Sequence, residues 1–71
     1  MIVRIKIITE FGEFSSVPIE MNEDQYLKLL EGSKNYYLGG YEMFMENGYF
    51  IASPDIVKKS ILLIEKHGQE P

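Results

Sequence analysis

Residues 35–53 read NYYLGGYEMFMENGYFIAS, and the fold turns on how this stretch doubles back on itself. Six of the nine aromatic side chains lie in it, around the tetrad Glu46-Asn47-Gly48-Tyr49. Asn-Gly accepts the positive φ angles of a type I′ turn, whose twist matches that of paired strands. A two-residue Asn47-Gly48 loop sets Glu46 opposite Tyr49, Met45 opposite Phe50, Phe44 opposite Ile51 and Met43 opposite Ala52. Alternation then sorts the side chains into two faces. Tyr41, Met43, Met45, Phe50 and Ala52 carry no charge and are assigned to the core. Glu42, Phe44, Glu46, Tyr49, Ile51 and Ser53 form the other face, an apolar centre with acidic neighbours. Either a helix or second sheet covers that face, or it is a partner-binding surface, since large exposed apolar patches bind something. Just upstream, Gly39-Gly40 either turns residues 36–38 back against residues 41–43 or bends one long strand.

Towards the N-terminus, Ile2–Thr9 alternates Val3, Ile5 and Ile7 with Arg4 and Lys6, the period of a half-buried strand. Residues 13–21 read as its hairpin partner, with Val17, Ile19 and Met21 inward. A three-residue Glu10-Phe11-Gly12 loop puts glycine at the left-handed position and pairs Ile7 with Ser15, Ile5 with Val17 and Val3 with Ile19. A Phe11-Gly12 loop is rejected, because it sets Glu10 against Glu13 and the apolar residues against Lys6 and Arg4. Pro18 lacks a donor and belongs at an edge or bulge. Asn22-Glu23-Asp24-Gln25 opens a helix: Asn22 caps, Gln25 reaches back, and the acids suit the positive end of the helix dipole. Tyr26, Leu27, Leu29 and Leu30 form its apolar stripe, and Gly32 ends it.

Towards the C-terminus, Ser53-Pro54-Asp55 opens a second helix, with Ser53 as cap. Ile56, Val57 and residues 61–64 spread around a helical wheel too widely for one apolar stripe. A short helical turn over residues 54–59 followed by a strand over residues 60–65, covered on both faces, suits them better; one continuous helix is the alternative. Residues 66–71 read as a frayed tail. The fold expected for residues 1–71 is one small α+β domain: N-terminal hairpin, central helix, aromatic hairpin, short helical turn and strand.

Composition narrows the function. A chain of 71 residues without cysteine has neither disulfide nor thiolate metal site to support it, so self-association into a homodimer is expected. The formal charge of −4 disfavours direct binding to nucleic acid or anionic membranes and suits a basic protein surface. Small basic patches at Arg4 and Lys6 and at Lys58, Lys59 and Lys66, with tyrosines for stacking, support a nucleic-acid-binding accessory protein as the second reading. No stretch is long enough to span a membrane, and Met1–Thr9 lacks the pattern of a signal peptide, so a cytoplasmic protein is expected. His67 is the one histidine and has no orienting partner in its tail. No serine sits in a nucleophile elbow and Gly39-Gly40 has no phosphate-loop context, so neither enzyme activity nor a cofactor or metal is expected.

The plan MIVRIKIITEFGEF…MNEDQYLKLLEG…ENGYFIASPDIV, with its excess of Ile, Lys, Asn, Tyr and Glu, resembles the small orphan proteins of phages infecting low-GC bacteria. That resemblance implies an accessory protein that binds and inhibits or redirects a host machine, such as a replication or transcription component. Some proteins of that class are similar to DNA in charge; eleven acids against seven bases make the match to such a mimic partial. The partner-binding residues expected are Glu42, Phe44, Glu46, Tyr49 and Ile51.

Overall fold

Alternation makes Ile2–Thr9 a strand, β1, and in the computed structural model, which describes residues 1–67, β1 is the centre of the larger sheet. Its Val3, Ile5 and Ile7 side chains are buried. One flank pairs antiparallel with β2 (Gly12–Ser15) and then β3 (Ile19–Glu20). The other flank pairs antiparallel with β6 (Ile61–His67) along nearly its whole length. A second sheet, the hairpin of β4 (Tyr41–Met45) and β5 (Gly48–Ala52), packs Met43, Tyr41 and Phe50 onto Ile5 and Ile7. Leu29 of helix α1 (Glu23–Ser33) joins the same cluster. With α2 (Pro54–Val57), these elements make the mixed α+β domain expected.

The N-terminal hairpin departs from its expected register. Thr9 pairs with Gly12, so the loop is Glu10-Phe11, and Ile7 faces Phe14 rather than Ser15. Gly12 has φ +136°, a conformation that suits glycine. The Thr9 hydroxyl braces the turn, accepting from the Phe11 N–H at 3.0 Å. Val3 pairs with Ile19 as expected. The two registers differ by one residue, so the stretch around Ser16 is a bulge. It lets Phe14 and Ile19 both reach the core although they stand an odd number of residues apart. Ile5 meets Ser16 there, not Val17: the Ser16 N–H donates to the Ile5 carbonyl at 2.8 Å. Pro18 is exposed beside the bulge, where its missing donor costs nothing.

Helix α1 starts as its sequence dictates. The Gln25 N–H donates to Asn22 Oδ1 at 2.8 Å, and the Asn22 N–H donates to Gln25 Oε1 at 2.9 Å. Leu29 and Leu30 are half-buried, whereas Leu27 is exposed and leaves the expected stripe. Gly32 lies inside the helix; the end falls at Ser33, where the Lys34 N–H turns back to the Glu31 carbonyl. Residues 36–38 are neither strand nor extended bend but a 3-10 turn, and the Tyr36 hydroxyl donates to the Ser60 carbonyl at 2.7 Å. Gly40 has a steric reason: a Cβ there would stand 2.7 Å from the Ala52 carbonyl oxygen.

The aromatic hairpin closes one residue earlier than Asn-Gly implies. Met45 pairs with Gly48, Phe44 with Tyr49, Met43 with Phe50, Glu42 with Ile51 and Tyr41 with Ala52. The loop is Glu46-Asn47, and among the described residues only Gly12 has a positive φ, so the type I′ turn is not formed. The register formed seats Phe44 against Tyr49 and Phe50 against Phe14, with ring centroids 4.7 and 5.0 Å apart. Each cross-strand partner has moved by two positions, an even shift, so the residues that remain in the ladder keep their expected faces, while Glu46 passes into the turn.

At α2, Pro54 takes the first helical position as expected, but Ser53 caps through its carbonyl, which accepts from the Ile56 and Val57 N–H groups, and not through its hydroxyl. β6 confirms the expected strand and runs on to His67, so Lys66 and His67 are not tail; residues 68–71 of that expected tail lie outside the described residues. Its expected double coverage fails. Leu62 and Ile64 join the core, while Ile61 is 58% exposed and Leu63 is exposed too. The cause is that α1 and the hairpin both pack on one side of the sheet.

Candidate functional site

Alternation along β4 and β5 puts Glu42, Phe44, Tyr49 and Ile51 on the side of the hairpin that faces away from the core. No element covers them among the described residues: Phe44 is 68% exposed, Ile51 71% and Tyr49 46%. Phe44 and Tyr49 are direct cross-strand partners with rings at 73°, an edge-to-face pair. The Tyr49 hydroxyl donates to Glu42 Oε1 at 2.8 Å. That bond to a carboxylate, then loss of solvent and the carboxylate's charge, hold the Tyr49 phenol above its ordinary pKa. Glu42, Tyr49 and Phe44 thus form one chain of contacts across the face. A carboxylate has about four lone-pair sites, so Glu42 retains capacity to accept from a further donor.

Glu46 does not stand with the other four. It occupies the turn, and its Oε2 accepts from Arg4 Nη2 at 3.4 Å. Arg4, Ser15, Ser16, Met45, Glu46 and Asn47 line a shallow cleft of about 190 Å³ between the sheets. A second cleft of about 260 Å³ runs between α1 and β6, walled by Leu30, Tyr36, Leu62 and Ile64. Sequence reading missed both, because each joins residues far apart in the chain. It also missed the open face of β6, where only the burial of the flanking Leu62 and Ile64 distinguishes one side from the other.

In the two basic patches, several cations lie near carboxylates or a ring. Lys6 lies 3.9 Å from Glu13, Lys58 lies 3.9 Å from Asp55, and the Lys66 ammonium sits 5.2 Å from the Tyr26 ring centroid. His67 Nε2 is 3.6 Å from Glu65 Oε1, both at the end of β6. No helix among the described residues is long and apolar enough to cross a membrane. No family model, curated protein or solved structure matches the chain.

Proposed function

We propose that this chain is a non-enzymatic protein-binding module, an effector of the phage type whose sequences it resembles. On this reading it works in the cytoplasm, inhibiting or redirecting a host protein by holding a basic surface of that protein against Glu42, Phe44, Tyr49 and Ile51. One observation carries the reading: Phe44 and Ile51, with Tyr49, are largely exposed on a hairpin whose opposite face supplies the core. A domain with so few buried side chains gains by placing large apolar residues inside, and these three remain outside in a braced arrangement. Phe44 and Tyr49 are the anchors, since buried aromatics dominate interface energies. Glu42 steers the encounter and so acts chiefly on the association rate. Pairing of Arg4, Lys6 and Lys58 with carboxylates disfavours the nucleic-acid reading.

The test is capture from bacterial lysate by the wild-type chain and by Phe44→Ala, followed by binding kinetics with the purified partner. Phe44→Ala, an exposed change, should keep the circular dichroism spectrum and weaken binding by about 2 kcal/mol through faster dissociation. Glu42→Gln should slow association and flatten its salt dependence. Equal capture by wild type and Phe44→Ala would place the site elsewhere; salt-sensitive retention of nucleic acid alone would favour the second reading.

A further inference from the structure

We infer that the outer edge of β5 pairs antiparallel with the same edge of a second copy of this chain, joining the two hairpins into one continuous sheet. The direction of the main-chain groups comes first. The Val17 N–H donates to the Phe44 carbonyl at 3.0 Å, so that carbonyl points away from β5. In an antiparallel ladder the N–H and C=O of one residue point the same way, and hydrogen-bonded pairs alternate with non-hydrogen-bonded ones. Phe44 and Tyr49 are therefore a non-hydrogen-bonded pair, and Tyr49 turns its N–H and C=O away from β4. Two residues on, Ile51 does the same. Among the described residues no backbone group takes up that edge.

Of the four sheet edges, that of β4 is met by the Val17 N–H, and the other three differ in chemistry. The β2–β3 edge carries Glu13, Pro18, Glu20 and the bulge at Ser16. The β6 edge is apolar over residues 61–64 and then carries Glu65, Lys66 and His67 at its C-terminal end. Charges, prolines and bulges are the devices that keep edges from pairing. β5 reads Gly-Tyr-Phe-Ile-Ala and has none of them.

A two-fold axis through Phe50 uses the whole strand. It sets Tyr49 beside the partner's Ile51 and Ile51 beside the partner's Tyr49, and these are the residues whose main-chain groups point outward. Each such pair exchanges both hydrogen bonds and sets an aromatic ring beside a β-branched side chain, a favourable cross-strand combination. Phe50 faces its own image as the intervening non-hydrogen-bonded pair. The contact is isologous, as a closed dimer requires. No carboxylate meets its image across the seam, although the chain carries a net charge of −4; Glu42 lies one strand inward. The joined sheet would carry two copies of the Phe44, Tyr49 and Ile51 face side by side. This pairing does not depend on the host-protein reading, which is tested at Phe44.

The experiment combines light scattering across the micromolar range with amide exchange followed by NMR. The wild type should show twice the chain mass, with Tyr49 and Ile51 amides exchanging more slowly as concentration rises. Ile51→Pro removes an N–H that β4 does not use, a change tolerated on a free edge. It should give the single-chain mass, with dimerisation at least tenfold weaker and circular dichroism unchanged. Ile51→Lys, which restores a natural edge protection, should do the same and serves if the proline variant fails to fold. A dimer that persists in the folded Ile51 variants overturns the inference. So does a single-chain mass throughout, including the case in which those amides slow only when another protein is added, which assigns the edge to that protein.

Discussion

Ile5 and Ser16 satisfy each other twice across the bulge: the Ser16 N–H donates to the Ile5 carbonyl at 2.8 Å, and the Ile5 N–H donates to Ser16 Oγ at 2.9 Å. A side chain has taken the place of the backbone acceptor that the extra residue displaced. Both partners are buried, so water cannot substitute. Ser16→Ala should leave the Ile5 N–H without an acceptor and cost roughly 1–3 kcal/mol, the usual penalty for a buried donor. Urea denaturation measures it; an unchanged midpoint would show that the bulge finds another acceptor.

The reciprocal pair at Asn22 and Gln25 predicts a helix-start effect. Asn22→Ala should lower stability by roughly 1 kcal/mol. Gln25→Ala should cost less, because its glutamine serves only the exposed Asn22 N–H. A double-mutant cycle reads their coupling, and strict additivity would mean that the box is not formed in solution.

Two glycines should respond in opposite senses. Gly48→Ala meets open space at an ordinary strand φ and should be neutral or stabilising by about 0.5 kcal/mol. Gly40→Ala drives a methyl against the Ala52 carbonyl and should destabilise by more than about 1 kcal/mol. Thermal unfolding of the two variants distinguishes this register from a type I′ turn, in which Gly48 would be the sensitive position.

The Tyr49–Glu42 bond sets an alkaline prediction. Tyr49 is held above its ordinary pKa first by that hydrogen bond, so the native state keeps the proton more tightly than the unfolded chain. Its contribution to stability is present in full below the unfolded value near 10 and is lost as pH rises through the native value. Ring NMR shifts should show Tyr49 ionising at lower pH in Glu42→Gln than in wild type. Tyr41, raised by burial alone, should keep its position and serves as the internal control.

What could be read from the sequence was what depends on neighbours in the chain. The Asn22–Gln25 box, Pro54 at the start of its helix and the two hairpin faces needed no knowledge of distant residues. The registers did. Asn47-Gly48 favours one turn, but Phe50 has a ring to meet on Phe14, contributed by β2, and that packing accompanies a different one. Pro18 points to an edge or bulge, but alternation over residues 13–21 does not show that the bulge falls at Ser16, and a serine hydroxyl standing in for a carbonyl leaves no pattern. Of the expected site, Glu42, Phe44, Tyr49 and Ile51 share a face because parity survived the shift. Glu46 left it because the earlier closure put that residue in the turn, within reach of Arg4.

The pairing of β1 with β6 has a consequence for how the protein is made. Ile2 finds His67 and Ile8 finds Ile61, so the central strand waits for a partner nearly the whole chain away. Contacts of such separation form late, because loop closure must precede any gain from pairing. On the ribosome, Val3, Ile5 and Ile7 emerge before residues 61–67, and one flank of their strand stays unpaired until that later segment clears the exit tunnel. During that interval the apolar residues of β1 are a hydrophobic liability. Arg4 and Lys6, set between its three core residues, are the charges that guard it until its last partner arrives.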